Sequence, residues 1–108
     1  MRRGDLITVA LRGDAGKPRL ALVIQSDRYA DTATVVILPI AGMMLDLPLV
    51  RVTIEPSEAN GLRKPSQVMI SRVQFIAREK AGPVIGRVDE AAMLTASRLL
   101  AVFLGLAG

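Results

Sequence analysis

Short apolar runs broken by polar turn residues fill most of the chain, and only near its end does the spacing widen to that of a helix. Leu6-Ile7-Thr8-Val9-Ala10-Leu11 reads as a first strand. Arg12-Gly13-Asp14-Ala15-Gly16-Lys17-Pro18 follows, its two glycines and proline marking a loop. Arg19 to Gln25 is a second strand, with Leu20, Ala21, Leu22, Val23 and Ile24 buried on both sides or nearly so. Ser26-Asp27 ends it and caps a short helical turn through Asp31. Thr34 to Ile40, rich in β-branched residues, is a third strand. Ala41 to Asp46 is a loop with the unusually apolar centre Met43-Met44-Leu45. Leu49 to Ile54 supplies a fourth strand, Asn60-Gly61 a turn, and Gln67 to Ile76 a fifth strand with a bend near Arg72.

After Gly82-Pro83 comes a short strand, Val84 to Val88, and then Asp89, well placed as an N-cap with Glu90 in the first turn. Ala92, Ala96, Leu99 and Phe103 recur at helical spacing, with Met93, Leu100 and Leu104 beside them, up to a stop at Gly105. Both stripes are apolar. One face therefore packs on the sheet, and the other is left for something else, a second subunit being one candidate. Several short strands followed by one helix predict a mainly β domain over residues 1–108. The expected architecture is a small barrel of about five to six strands closed by a C-terminal helix.

Composition narrows the chemistry. The chain has 108 residues, 51% of them apolar and 22% charged, a globular balance with no sign of disorder. It contains neither Cys nor His, so thiolate or imidazole metal sites, disulfides and any His-based triad are excluded. Its six Asp and four Glu form no clustered cation loop, and no metal or cofactor is expected. No leader or apolar run long enough to span a membrane opens the chain, so a cytoplasmic protein is the expectation. Fourteen Lys and Arg against ten acidic residues give a formal charge of +4, which suits either a polyanionic partner or simple solubility. With no Trp, one Tyr and two Phe, base stacking is a weak option, and any nucleic-acid binding falls to Arg, Lys, amides and backbone groups.

The informative element is a basic loop running straight into a buried strand, Gly16-Lys17-Pro18-Arg19-Leu20-Ala21-Leu22-Val23-Ile24. Arg19 sits where the chain enters the core. A guanidinium held there beside a basic flap suits phosphate recognition, although pairing with a carboxylate at the strand end is the plainer reading. The segment Gly13 to Lys17 fails as a phosphate-binding loop: its glycine spacing is too short and Pro18 stands where Ser or Thr is needed. Arg72 and Gln74 flank Val73 and share one strand face, lining a groove or a solvated sheet surface. Met43 to Leu45 forms either a partner surface or a cover over the barrel mouth.

Taken together, these segments resemble the MazF/PemK/Kid toxins along the whole chain. Arg3-Gly4-Asp5-Leu6-Ile7 matches the family's R-G-D-hydrophobic opening, and Arg19-Leu20-Ala21-Leu22-Val23-Ile24-Gln25 its R-P-A-L-V segment, with Leu20 where Pro is usual. Val36-Ile37-Leu38-Pro39-Ile40 is similar to the V-V-P-L strand, and Ile85-Gly86-Arg87-Val88 before the helix to the G-R-L ending. The resemblance implies an SH3-like β-barrel, a homodimer without cofactor, metal-independent cleavage of single-stranded RNA, and silencing by a cognate antitoxin with an acidic C-terminal segment. It implies a catalytic role for Arg19. The residues themselves suggest RNA-binding roles for Arg12, Lys17, Arg72 and Gln74.

Two positions depart from the family. Ala41 stands where a Thr usually follows the V-P-L strand, and Ser71 where an acidic residue is common. These departures leave open whether the nuclease works as usual. They also point to a rival. Gln25-Ser26-Asp27, Asp31-Thr32 and Leu38-Pro39-Ile40-Ala41 are similar to CcdB, a gyrase poison on the same fold. CcdB ends in a W-G-I tail, however, where this chain has Phe103-Leu104-Gly105-Leu106, and it lacks the basic loop before Arg19.

Overall fold

The computed structural model describes residues 1–11 and 17–108. In chain order the strands are β1 (Asp5–Ala10), β2 (Pro18–Val23), β3 (Thr34–Ala41), β4 (Arg51–Ile54), β5 (Ser66–Met69), β6 (Gln74–Ala77) and β7 (Ala81–Arg87). One helix, α1 (Glu90–Phe103), follows them. All pairings are antiparallel. The ladder runs β4-β5-β3-β2-β1-β7, with β6 also on β3.

Two expectations need correction. The single strand expected from Gln67 to Ile76 is broken by a 3₁₀ turn at Ile70–Arg72, so that β5 and β6 are separate strands. Both pair with β3: β5 opposite Ile40 and Ala41, β6 opposite Thr34 to Ile37. Leu38 and Pro39 have no partner in either strand, and Pro39 has no N–H to offer a ladder at that gap. The sheet therefore has seven strands rather than five or six.

It is also open. Among the described residues β4 and β7 terminate the ladder and do not pair with each other, so the closed barrel is replaced by a curled sheet. A turn partly bridges the gap. The Arg87 N–H donates to the Ala59 carbonyl at 2.9 Å, and Gly86 lies so close to Asn60 that a Cβ would meet its backbone at 2.4 Å. The buried Asn60 side chain holds this turn by accepting from the Ser57 and Leu62 N–H groups and donating to the Glu55 carbonyl. Gly61 follows at φ +72°, a left-handed conformation that glycine adopts without strain.

Alternation along the central strands feeds two apolar layers, which is why β2 reads as a continuous apolar run. Leu6, Leu22, Leu38, Val68 and Ile70 face the layer covered by α1. Ile7, Val9, Ala21, Val23, Val35 and Ile37 face the other, where Ile76 and Ala81 fold over them as the sheet curls. Irregularities in the β1–β7 register at Leu6/Ile7 and Ile7/Val9 add to that curl. Fully burying each such Leu, Ile or Val contributes about 1.5–3 kcal/mol.

Helix α1 begins and ends where the sequence signals place it. The Asp89 carboxylate accepts from the Ala92 N–H at 2.8 Å. At the other end Gly105, at φ +78°, donates to the Val102 carbonyl while the Leu106 N–H returns to Ala101. Ala92, Met93, Ala96, Leu99 and Leu100 pack on the core. Leu94, Val102, Phe103 and Leu104 remain exposed, so the two stripes part company in the last turn. No helix among the described residues is long and apolar enough to cross a membrane.

Candidate functional site

Arg19 is the second residue of β2 and pairs with Val9 of β1. It shares a strand face with Ala21 and Val23, both buried in the second apolar layer. Arg19 itself is exposed, at the end of the strand where burial runs out. The opening there is a cleft of about 410 Å³. Arg19, Ala41, Gly42, Met43, Arg72 and Gln74 line it, above a floor that includes Pro39, Ile40 and Met69.

Three of the residues expected to act together therefore meet, but Arg72 and Gln74 do so by another route than strand alternation. Arg72 closes the 3₁₀ turn and Gln74 opens β6, with the Gln74 amide donating to the Arg72 carbonyl at 3.1 Å. The chain's bend, rather than a shared pleat, aims both side chains at the cleft. Lys17 is exposed just before β2 and does not line the cleft. Arg12 and the loop through residue 16 lie outside the described residues. Of the two departures from the family pattern, Ala41 lines the cleft, whereas Ser71 is exposed and does not.

Two residues were missed from sequence. Gln67 is 5% exposed in β5, and its amide both accepts from the Leu45 N–H at 3.0 Å and donates to the Leu45 carbonyl at 3.1 Å. Arg51 adds bonds to the Gln67 amide oxygen and to the Met43 carbonyl. A buried amide thus acts as a strand for the apolar loop, holding Met43 as one wall of the cleft while its side chain stays 72% exposed. Its signal was a Gln inside an apolar run. The second is Lys64, whose ammonium stands over Gly42: a Cβ built on that glycine would lie 3.0 Å from Nζ. The sequence hint was slight, a basic residue followed by proline ahead of a strand, as at Lys17-Pro18.

Among the described residues the charged side chains at this site are all basic. Arg19 and Arg72 line it, Lys64 stands at its edge, and no Asp or Glu lines it among the described residues. No group of three or more potential metal-ligating side chains occurs among the described residues. Guanidinium forks and an amide around a concave, partly apolar floor can grip a phosphodiester by bidentate bonds while its attached groups lie on the floor. A larger cleft of about 580 Å³ lies between the residue 55–60 turn and the start of α1. Glu55 and Asp89 line it, and its Arg87 is already bonded to Asp5, so it lacks the polarity for an anion.

Comparisons with known proteins agree over nearly the full length. Residues 2–104 match the family described as PemK-like, MazF-like toxin of type II toxin–antitoxin system. A curated protein of Mycolicibacterium smegmatis, "Probable endoribonuclease MazF", is 45% identical over 109 residues and covers 100% of both chains. Among solved structures, a mycobacterial endoribonuclease in complex with its cognate antitoxin superposes with a TM-score of 0.83 at 23% identity, covering 100% of this chain and 98% of that one. The Mycobacterium tuberculosis toxin MazF-mt6 gives 0.79 at 20% identity, over 94% and 96% of the two chains. At these identities the two structures speak for the fold.

Proposed function

This chain belongs to the PemK-like, MazF-like toxin family, and from that membership we propose that its cationic cleft cuts single-stranded RNA as the toxin of a type II toxin–antitoxin pair. The single observation that carries the assignment of the site is the convergence of Arg19, Arg72 and Gln74 on one concave surface. RNA brings its own nucleophile. The 2′-oxygen attacks the adjacent phosphorus, the bond from phosphorus to the 5′-oxygen breaks, and the 2′-proton is released as the 5′-oxygen takes one up. The products are a cyclic phosphate and a 5′-hydroxyl end. Such a reaction asks the protein to hold the phosphate in line and to offset charge growing on its oxygens. Arg19, near the start of β2 and lining the cleft, serves the second task. Arg72 and Gln74 serve the first by holding the strand, with Lys17 and Arg12 on flanking phosphates.

Ala41 offers the cleft no hydroxyl, so proton transfer relies on solvent or on the substrate's own groups, and a slow enzyme is expected. The gyrase-poison reading is not favoured, because the family match and the curated relative are both of the MazF type. The mycobacterial structure named with its cognate antitoxin supports a partner of that kind here, and a basic cleft suits an acidic segment. A homodimer of single 1–108 domains fits the apolar end of α1, where Val102, Phe103 and Leu104 stay exposed.

The test is incubation of the purified protein with defined single-stranded RNA in EDTA. Cutting that persists in chelator, leaves cyclic-phosphate ends and falls about 10²–10³-fold in Arg19→Ala supports the mechanism. Intact RNA together with stable gyrase binding would overturn it.

A further inference from the structure

We infer that Lys64 forms a separate phosphate subsite of the cleft, gripping the RNA strand beside the scissile group; this rests on the nuclease reading above. Three observations carry it. The Lys64 ammonium is placed over Gly42, a residue of the cleft wall next to Ala41. No hydrogen bond or ion pair of its side chain occurs among the described residues, so its position owes nothing to a carboxylate. Its neighbour Pro65 and the start of β5 at Ser66, whose hydroxyl donates to the Lys64 carbonyl at 3.1 Å, fix the backbone from which it reaches.

Placing a cation on this exposed basic surface carries a modest repulsion in the free protein, screened by water and salt. A strand carrying one negative charge per nucleotide reverses that cost. A compact ammonium on a flexible stem suits a point contact to a non-reacting phosphate, whereas the planar forks of Arg19 and Arg72 suit bidentate grip. Gly42 is part of the device. Its φ is ordinary, so glycine is not needed for backbone conformation, yet any side chain there would crowd Nζ and move it. The small residue leaves the lysine its place above the strand.

The experiment measures binding of an uncleavable 2′-O-methyl oligonucleotide at several salt concentrations, alongside cleavage of the natural RNA. In Lys64→Gln the slope of log affinity against log salt falls by about 0.7, the value of one phosphate contact on a single strand. KM rises several-fold while kcat changes little, and Lys64→Arg restores the slope. Gly42→Ala, which keeps the charge but displaces it, reproduces part of the KM effect. Arg28→Gln, in the 3₁₀ turn Asp27–Tyr29 that follows β2 and outside the cleft lining, serves as the control and leaves binding unchanged. An unaltered slope and KM in Lys64→Gln, with wild-type binding intact, would overturn the subsite alone. Wild-type protein that neither binds nor cuts RNA would overturn the nuclease reading itself.

Discussion

Asp5 and Arg87 stand 82 residues apart and meet at 2.6 Å, joining the first strand of the fold to the last. The Asp5 carboxylate, 6% exposed, also accepts from the Arg2 N–H at 2.8 Å, and the Arg87 guanidinium reaches on to the Arg3 carbonyl. The acidic residue of the R-G-D opening and the Arg of the G-R ending are thus two halves of one clasp. Their place in the family pattern reflects architecture rather than chemistry on RNA.

Breaking that clasp should cost stability and spare the cleft. Asp5→Ala leaves the Arg2 N–H and half-buried Arg87 without their acceptor, and a loss of about 1–3 kcal/mol is expected. Urea unfolding reads it directly. A double-mutant cycle with Arg87→Gln should return a coupling within about 0.5–3 kcal/mol. Independent losses that simply add would show that the contact carries no energy of its own.

Ala41→Thr is expected to speed cleavage. The position lines the cleft at the end of β3, where a β-branched residue fits the pleat, and the new hydroxyl faces the site that holds Arg19. A positioned acid–base group is worth about 10²–10⁴-fold at most, and single-turnover rates at saturating enzyme would register even a small part of it. A rate at or below wild type would mean that the cleft does not need a hydroxyl there.

Gln67→Ala should loosen the cleft wall without touching substrate. Leu45 would lose both of its backbone partners, and Arg51 one of its two acceptors. Faster amide exchange at Leu45 and a higher KM are expected, together with about 1–3 kcal/mol lost on unfolding. Unchanged exchange at Leu45 would show that the loop holds itself.

Two glycines should fail in opposite ways. Gly105 has open space around it but φ +78°, so Gly105→Ala costs about 1–2 kcal/mol through backbone strain alone. Gly86 has an ordinary φ but no room against Asn60, and Gly86→Ala must separate β7 from its turn, costing about 1–3 kcal/mol or more. Crystal structures of both variants would distinguish them: an undisturbed backbone in the first, a displaced residue 55–61 segment in the second.

Local rules made much of this molecule legible. Asp89 and Gly105 bounded the helix because caps are short-range chemistry, and β-branched runs found β3. What escaped depended on contacts between distant segments. The break between β5 and β6 follows from two strands sharing β3 across Pro39, which no window around Arg72 contains. Arg19 could be singled out because it stands where a basic loop runs into an apolar strand. Lys64 could not, because its meaning comes from a glycine 22 residues earlier that is adjacent only after folding. The open ladder escaped for the same reason, since closure depends on where the two terminal strands end up.

That open ladder also bears on self-association. A sheet with free margins invites another chain to extend it, a route to aggregation. Here the β7 margin carries Pro83 and is backed by the Asn60 turn, while the β4 and β6 margins are only four residues long each. Among the described strands none offers a long free run of N–H and C=O groups to a neighbour. Copies of this protein are thereby steered away from fibre-like stacking and toward contacts made by side chains, among them the exposed apolar residues at the end of the helix and in the 43–49 segment.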